Sequence, residues 1–298
     1  MGLALDAAKA LFYGKFVLAA YGMFENPGAD ALKPEPAGIP EGYEVGAWIH
    51  MTDFALDVKE PKFYGIVAHG IDDPQSRIVA IRGTEGAIEW LDDGDAVPVP
   101  FRQVPAAGRV ACGFDTIYSS LKVIPRKLPG DAAEGGGAEG ETFAGSFAEQ
   151  LEALALKREA RRGMAVRVDG HRPPRPTVVS GHSLGAALAT LFVLENSDKG
   201  KFDISTLCTF ASPRVGNMEF VRTFNRLPIN SWRIVNTEDL VPKLPPHIPV
   251  LLDYDHVDVE SGFSSVAWAK KTLGCSHAME TYLHFLDASF AVGEDCKA

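Results

Sequence analysis

Residues 177–189 read Thr177-Val178-Val179-Ser180-Gly181-His182-Ser183-Leu184-Gly185-Ala186-Ala187-Leu188-Ala189. A short β-branched run leads into a G-x-S-x-G pattern, and a small-residue helical pattern follows to Asn196. Strand, tight turn and helix in immediate succession leave the turn no room for bulky neighbours, so glycine stands on both sides of Ser183. Such a turn lifts the serine out of the sheet with its hydroxyl exposed. The helix beginning at Leu184 directs its positive end at any negative charge developing beside Ser183. The backbone N–H of Leu184 is then placed as one donor to an oxyanion. An N-capping serine at an ordinary strand-to-helix turn is the plainer reading of the same pattern. The flanking strand and alanine-rich helix favour the nucleophile.

The rest of the chain supplies the sheet that such a turn requires. Ser76–Arg82 is a buried strand running into Gly83-Thr84, Ile204–Ala211 a strand ending in Ser212-Pro213-Arg214, and Ser231–Asn236 a strand whose end carries Thr237-Glu238-Asp239. Trp48–Val58 and Phe63–Gly70 read as paired strands, and Val250–Val259 as a strand or hairpin. Helical patterns cover Gly113–Leu121, Phe147 to about Arg162, Phe220–Arg226 and His277 to about Phe290. Strands alternate with helices through the second half, so the fold class is α/β, with a mostly parallel central sheet and helices on both faces. Functional groups then belong at the C-terminal ends of the strands. Residues 1–44 read as an N-terminal amphipathic helix and loop. Residues 127–146 contain a glycine-rich acidic run read as a flexible surface insertion, since signals for one sheet continue on both sides. A single domain over residues 1–298 is expected.

Composition removes some partners. The net charge of −10 argues against nucleic acid, because phosphate binding needs a basic surface. No run is long and apolar enough to span a bilayer. The apolar stretch from Leu11 to Phe24 is interrupted by Lys15 and lacks a strongly basic start, so it reads as a helix rather than a leader. The compartment and the oligomeric state stay open. Cys112, Cys208, Cys275 and Cys296 show neither a C-x-x-C pair nor zinc spacing, and read mostly as free, partly buried thiols.

A serine hydroxyl needs a base, and the base needs a third group to hold its tautomer. In this architecture the chain order is serine, acid, histidine. Asp239 sits just past a strand end, with Glu238, Asp253 and Asp255 as rivals. Of the histidines after Ser183, His277 stands where a loop meets a helix and is favoured over His284, two turns further on. His247 lies among prolines, and His256 alternates with acids as an exposed position would. His182, beside the nucleophile, reads as a packing or hydrogen-bonding residue. A second oxyanion donor is expected at Thr84, directly after the strand that ends in Arg82-Gly83.

Five segments together resemble the class 3 lipase family, fungal-type lipases with plant and bacterial relatives. They are Arg82-Gly83-Thr84 followed by Trp90, Gly108-Arg109-Val110-Ala111-Cys112-Gly113-Phe114, the serine motif at 181–189, Phe210-Ala211-Ser212-Pro213-Arg214-Val215-Gly216-Asn217, and the acid-bearing loop at 233–246. The resemblance covers roughly residues 45–290, and its C-terminal motif, 277–284, is similar to the plant-like branch. It implies an α/β-hydrolase fold, a Ser183–Asp239–His277 triad, an oxyanion hole from Thr84 and Leu184, and a lid carrying Ile88, Trp90 and Leu91. It further implies hydrolysis of acylglycerol esters at a lipid–water interface, with no metal or organic cofactor. Phospholipid or soluble-ester hydrolysis is the alternative. A non-catalytic interaction protein on the same fold is the reading from another class, although every expected catalytic position is filled.

Overall fold

The computed structural model describes residues 4–52, 60–84, 96–127, 142–161, 175–248 and 253–298. The expected lid residues Ile88, Trp90 and Leu91 and most of the acidic insertion lie outside the described residues.

The core is an eight-stranded mixed sheet in the order β12-β10-β8-β7-β3-β2-β1-β6. Its strands are β1 (Tyr43–Thr52), β2 (Pro61–Gly70), β3 (Arg77–Ile81), β6 (Lys122–Pro125), β7 (Pro176–His182), β8 (Asp203–Phe210), β10 (Asn230–Asn236) and β12 (Glu260–Phe263). The five strands from β3 to β12 are parallel to their neighbours, and β2, β1 and β6 close the far side as antiparallel strands. Side chains alternate across the parallel part. Ile78 and Ala80 join one buried cluster, and Val79 and Ile81 join the other.

The first cluster packs against α1 (Ala7–Glu25) and α7 (Met279–Leu286). The second packs against α2 (Cys112–Ser120), α3 (Phe147–Arg161), α4 (Leu184–Lys199) and α5 (Met218–Phe224). Helices therefore cover both faces. Asp6 caps α1 by accepting the Lys9 N–H at 3.1 Å. Gly14 lets α1 approach closely, since a Cβ there would lie 2.6 Å from Leu283 and 2.9 Å from Phe210. The two sides of the acidic insertion are tied together, because Gln150 accepts the Val123 N–H and donates to the Leu121 carbonyl. Among the described residues no helix is long and apolar enough to cross a membrane.

Three features depart from the expectations. A second, four-stranded sheet orders β4 (Pro98–Pro100), β5 (Arg109–Ala111), β9 (Gly216–Asn217) and β11 (Tyr254–Asp255) as β11-β9-β5-β4. A further short helix, α6 (Leu273–His277), precedes the last one, so His277 ends α6 instead of opening α7, and Ala278, whose ψ of 135° is extended, separates the two. Cys275 and Cys296 form a disulfide, so only Cys112 and Cys208 match the expected free thiols. The bridge joins residues 21 apart, a pairing that cysteine spacing alone does not reveal.

His256, expected exposed, is half-buried, and its Nε2 donates to the Pro242 carbonyl at 2.8 Å. Burial, with Arg233 and Arg214 nearby, pushes its pKa down to about 3. His182 is also held well below the usual range by burial and by His277. Both histidines are neutral in the fold and charge on unfolding, so the unfolded chain binds more protons below pH 6.5. Their stabilising contribution is complete above that pH and is lost as pH falls toward the folded values. At pH 5 the His256 share costs about 2 kcal/mol, and His182 acts in the same direction. The melting temperature is expected to drop between pH 7 and 5, with a shallower drop in His256→Gln. Equal slopes for the two proteins would remove His256 from the account.

Candidate active site

The parallel strands end in step. Ile81 is paired with Gly181, His182 with Phe210, and Phe210 with Ile234. Each chain therefore leaves the sheet at one edge, which brings Gly83-Thr84, Ser183 and the 236–239 turn together.

Ser183 follows β7 directly with φ 58° and ψ −130°, a left-handed conformation that a non-glycine residue adopts only under constraint. The constraint is visible on three sides. Its N–H donates to the Phe210 carbonyl at 3.0 Å. A Cβ at Gly181 would lie 2.4 Å from the Gly185 carbonyl oxygen, and one at Gly185 would lie 2.3 Å from that of Ile81. The two motif glycines thus let α4 turn back tightly against the end of β3. Gly83 packs on the serine itself, since a Cβ there would lie 2.6 Å from Ser183 Cβ. This places the 83–84 segment against Ser183. Leu184 opens α4, so its N–H is one of those without a helical partner.

Asp239 is fully buried. Its Oδ2 accepts from His277 Nδ1 and from the Tyr282 hydroxyl, both at 2.7 Å, and its Oδ1 accepts the Val241 N–H at 2.9 Å. Because Nδ1–H donates to a carboxylate, the neutral His277 ring carries its lone pair on Nε2. His277 Nε2 and Ser183 Oγ are both buried with no hydrogen-bond partner among the described residues. A base and a hydroxyl, neither engaged elsewhere, are the two groups that a proton transfer from serine requires.

The rival residues lie apart from this cluster. Glu238 accepts from Ser264 and from the Ser265 N–H. Asp253 is exposed. Asp255 binds its neighbour's N–H at His256. His284 Nδ1 donates to the Phe290 carbonyl, and His247 Nδ1 to that of Tyr254.

Three supporting residues were not legible in the sequence. Asn236, fully buried, donates to the Ser276 carbonyl at 2.8 Å and to Ser265 Oγ at 2.9 Å, tying the acid loop to the residue before His277. Tyr282 lies one turn after the break at Ala278 and reaches back to Asp239. Arg82 is buried between the rings of Phe24 and Tyr64, 3.5 and 4.3 Å from their centroids, and donates to the Gly83 carbonyl at 2.7 Å. Asn236 lies three residues before Asp239, a position that could have drawn attention to it. The two aromatic and cationic residues carried no comparable signal.

Residues 78–248, more than half of the chain, match the family described as Lipase (class 3). The chain is 26% identical over 310 residues to phospholipase A1-Igamma2 of Arabidopsis thaliana, covering 86% of this chain and 54% of that protein. It is 29% identical over 303 residues to phospholipase A1-II 7 of Oryza sativa subsp. indica, covering 94% and 65%. The chain thus spans between half and two thirds of the length of these curated relatives. Among solved structures, lipase II from Rhizopus niveus superposes with a TM-score of 0.57 at 17% identity, over 88% of this chain and 83% of that one. The Rhizomucor miehei triacylglyceride lipase superposes at 0.56 and 21% identity, over 88% and 82%. These likenesses show the α/β-hydrolase fold. By the extent of the family match, over a stretch that holds the serine elbow and the acid loop, the chain belongs to the class 3 lipase family.

Proposed function

We propose that the chain hydrolyses carboxylic esters of glycerolipids through an acyl-enzyme on Ser183. The observation that carries this reading is the hydrogen-bonded His277–Asp239 pair, which leaves the lone pair on a buried, unpartnered His277 Nε2, together with the equally unpartnered hydroxyl of Ser183 on a strained elbow. His277 takes the Ser183 proton as Oγ attacks the ester carbonyl. The oxyanion is received by the N–H groups of Leu184 and Thr84, with the Thr84 hydroxyl available as a further donor. Losing one such donor costs about 2.7–4 kcal/mol of transition-state stabilisation. Asp239 offsets the charge on the imidazolium, which protonates the leaving alcohol. Water, deprotonated by His277, then attacks the acyl-enzyme and releases the fatty acid.

Triacylglycerol is the substrate class that the sequence resemblance implies. The names of the plant relatives favour phospholipid as the second reading, and one relative is named as a galactolipase. The lid assigned to Ile88, Trp90 and Leu91 would make activity rise at an interface. A fluorophosphonate followed by intact and peptide mass analysis tests the nucleophile, and a single adduct on Ser183 is expected. Fatty-acid release from emulsified triacylglycerol, phosphatidylcholine vesicles and galactolipid dispersions then ranks the substrates. Absence of the adduct together with no release from any of the three would overturn the hydrolase reading in favour of an interaction protein.

A further inference from the structure

The N-terminal helix contributes a side chain to the site. Tyr21, on the fifth turn of α1, accepts the Gly83 N–H at 2.7 Å and lies 2.7 Å from His182 Nδ1. His182 Nε2 in turn lies 2.8 Å from the backbone carbonyl of His277. A carbonyl only accepts, so the His182 proton is on Nε2. Nδ1 therefore carries the lone pair and accepts the Tyr21 O–H. Burial pushes the phenol pKa up, and burial with His277 nearby pushes the imidazole down, so both stay neutral and the direction of the chain is single-valued. The line runs from the Gly83 N–H to the Tyr21 oxygen, from the Tyr21 O–H to His182 Nδ1, and from His182 Nε2–H to the His277 carbonyl.

We propose that Tyr21 is a positioning residue that locks the oxyanion segment and the backbone of the base to one another. Residue 83 is held from two directions. Its N–H is taken by Tyr21, and its carbonyl receives Arg82 Nη1 at 2.7 Å. The carbonyl and the following N–H of a trans peptide point opposite ways, so anchoring the Gly83 carbonyl on Arg82 aims the Thr84 N–H away from Arg82. Tyr21 fixes the other end of the same residue, within a space that admits no side chain: a Cβ at Gly83 would lie 2.6 Å from the Tyr21 oxygen. Through His182 the same phenol fixes where the main chain of His277 sits. Thr84 and His277 serve the same tetrahedral transition state, one receiving the oxyanion and the other the proton, and Tyr21 sets both without touching substrate. The inference rests on the assignment of Thr84 and His277 proposed above.

Tyr21→Phe removes only the oxygen and keeps the ring in its packing. The expected result is a kcat lower by about 10- to 100-fold with KM within about twofold. A boronic acid that mimics the tetrahedral state should lose affinity in step with kcat/KM, whereas an uncleavable amide analogue should bind unchanged. A Tyr21→Phe protein with wild-type kcat and boronate affinity, on a wild type that forms the Ser183 phosphonate adduct, overturns this inference alone. If wild type forms no adduct, the reading of the site itself fails. Should Tyr21→Phe melt early, the line is tested from its other end. His182→Gln keeps a donor near the Nε2 position and His182→Asn does not, so Gln is expected to retain more kcat than Asn. Equal kcat in the two would count against the line.

Discussion

Ser183→Ala is expected to lower kcat for ester hydrolysis by about 10⁶-fold while leaving the melting temperature at or slightly above that of wild type. The two halves of this expectation come from one observation. Ser183 Oγ is buried and makes no hydrogen bond among the described residues, so its removal costs the fold no interaction seen there and relieves a desolvated hydroxyl. The strain of the elbow stays, because alanine must occupy the same left-handed conformation, fixed by the Phe210 carbonyl and the close packing of Gly181 and Gly185. The remaining oxyanion donors and the substrate surface are untouched, so KM for residual turnover should change little. Initial rates on a soluble short-chain ester, with protein checked by thermal melting, measure both halves. Activity above about one per cent of wild type in a well-folded protein would show that Ser183 is not the nucleophile.

How much of this could be read from sequence depends on what each residue is for. The elbow is legible because its geometry excludes side chains: glycine at 181 and 185 is demanded by backbone atoms 2.4 Å and 2.3 Å from where a Cβ would be. Thr84, Leu184 and Asp239 are legible as positions in a strand-end layout that the aligned registers of β3, β7, β8 and β10 account for, and His277 is legible as a loop-to-helix junction after the serine and the acid. Their roles in turnover are for the mutants to establish. The short helix Leu273–His277 was not legible because it is a single turn with Gly274 inside it, held by the Thr272 cap on the Cys275 N–H. β12 was missed because Glu-Ser-Gly-Phe is short and polar, and its parallel pairing with β10 supplies the order that its composition lacks. Tyr21, Arg82 and Tyr282 look like ordinary parts of a helix face or a strand end. What makes Tyr21 and Tyr282 part of the site is the long-range partner of one polar atom, which no local periodicity encodes, and Arg82 is turned onto its neighbour Gly83 by the rings of Phe24 and Tyr64.

Asp239→Asn is the change whose effect the hydrogen bonds define most sharply, with kcat expected to fall by about 10⁴-fold. Three donors converge on the carboxylate: the Val241 N–H on Oδ1, and the Tyr282 O–H and His277 Nδ1–H on Oδ2. An asparagine offers one acceptor and one donor in their place. If its NH2 faces Val241, two N–H groups oppose each other, and the Val241 backbone cannot turn away because it opens a short helical turn. The amide therefore keeps its oxygen toward Val241 and turns its NH2 toward Tyr282 and His277. His277 must then present a lone pair at Nδ1 and carry its proton on Nε2, where it cannot accept the Ser183 proton. The fold should survive, since the side-chain volume is nearly unchanged, and phosphonate labelling of Ser183 should slow in step with kcat because both require the same base. Glu238→Gln is the control: that carboxylate faces Thr237, Ser264 and Ser265 rather than His277, and its loss should leave kcat within about twofold of wild type. A kcat for Asp239→Asn within tenfold of wild type, or a larger loss in Glu238→Gln, would move the acid to another carboxylate.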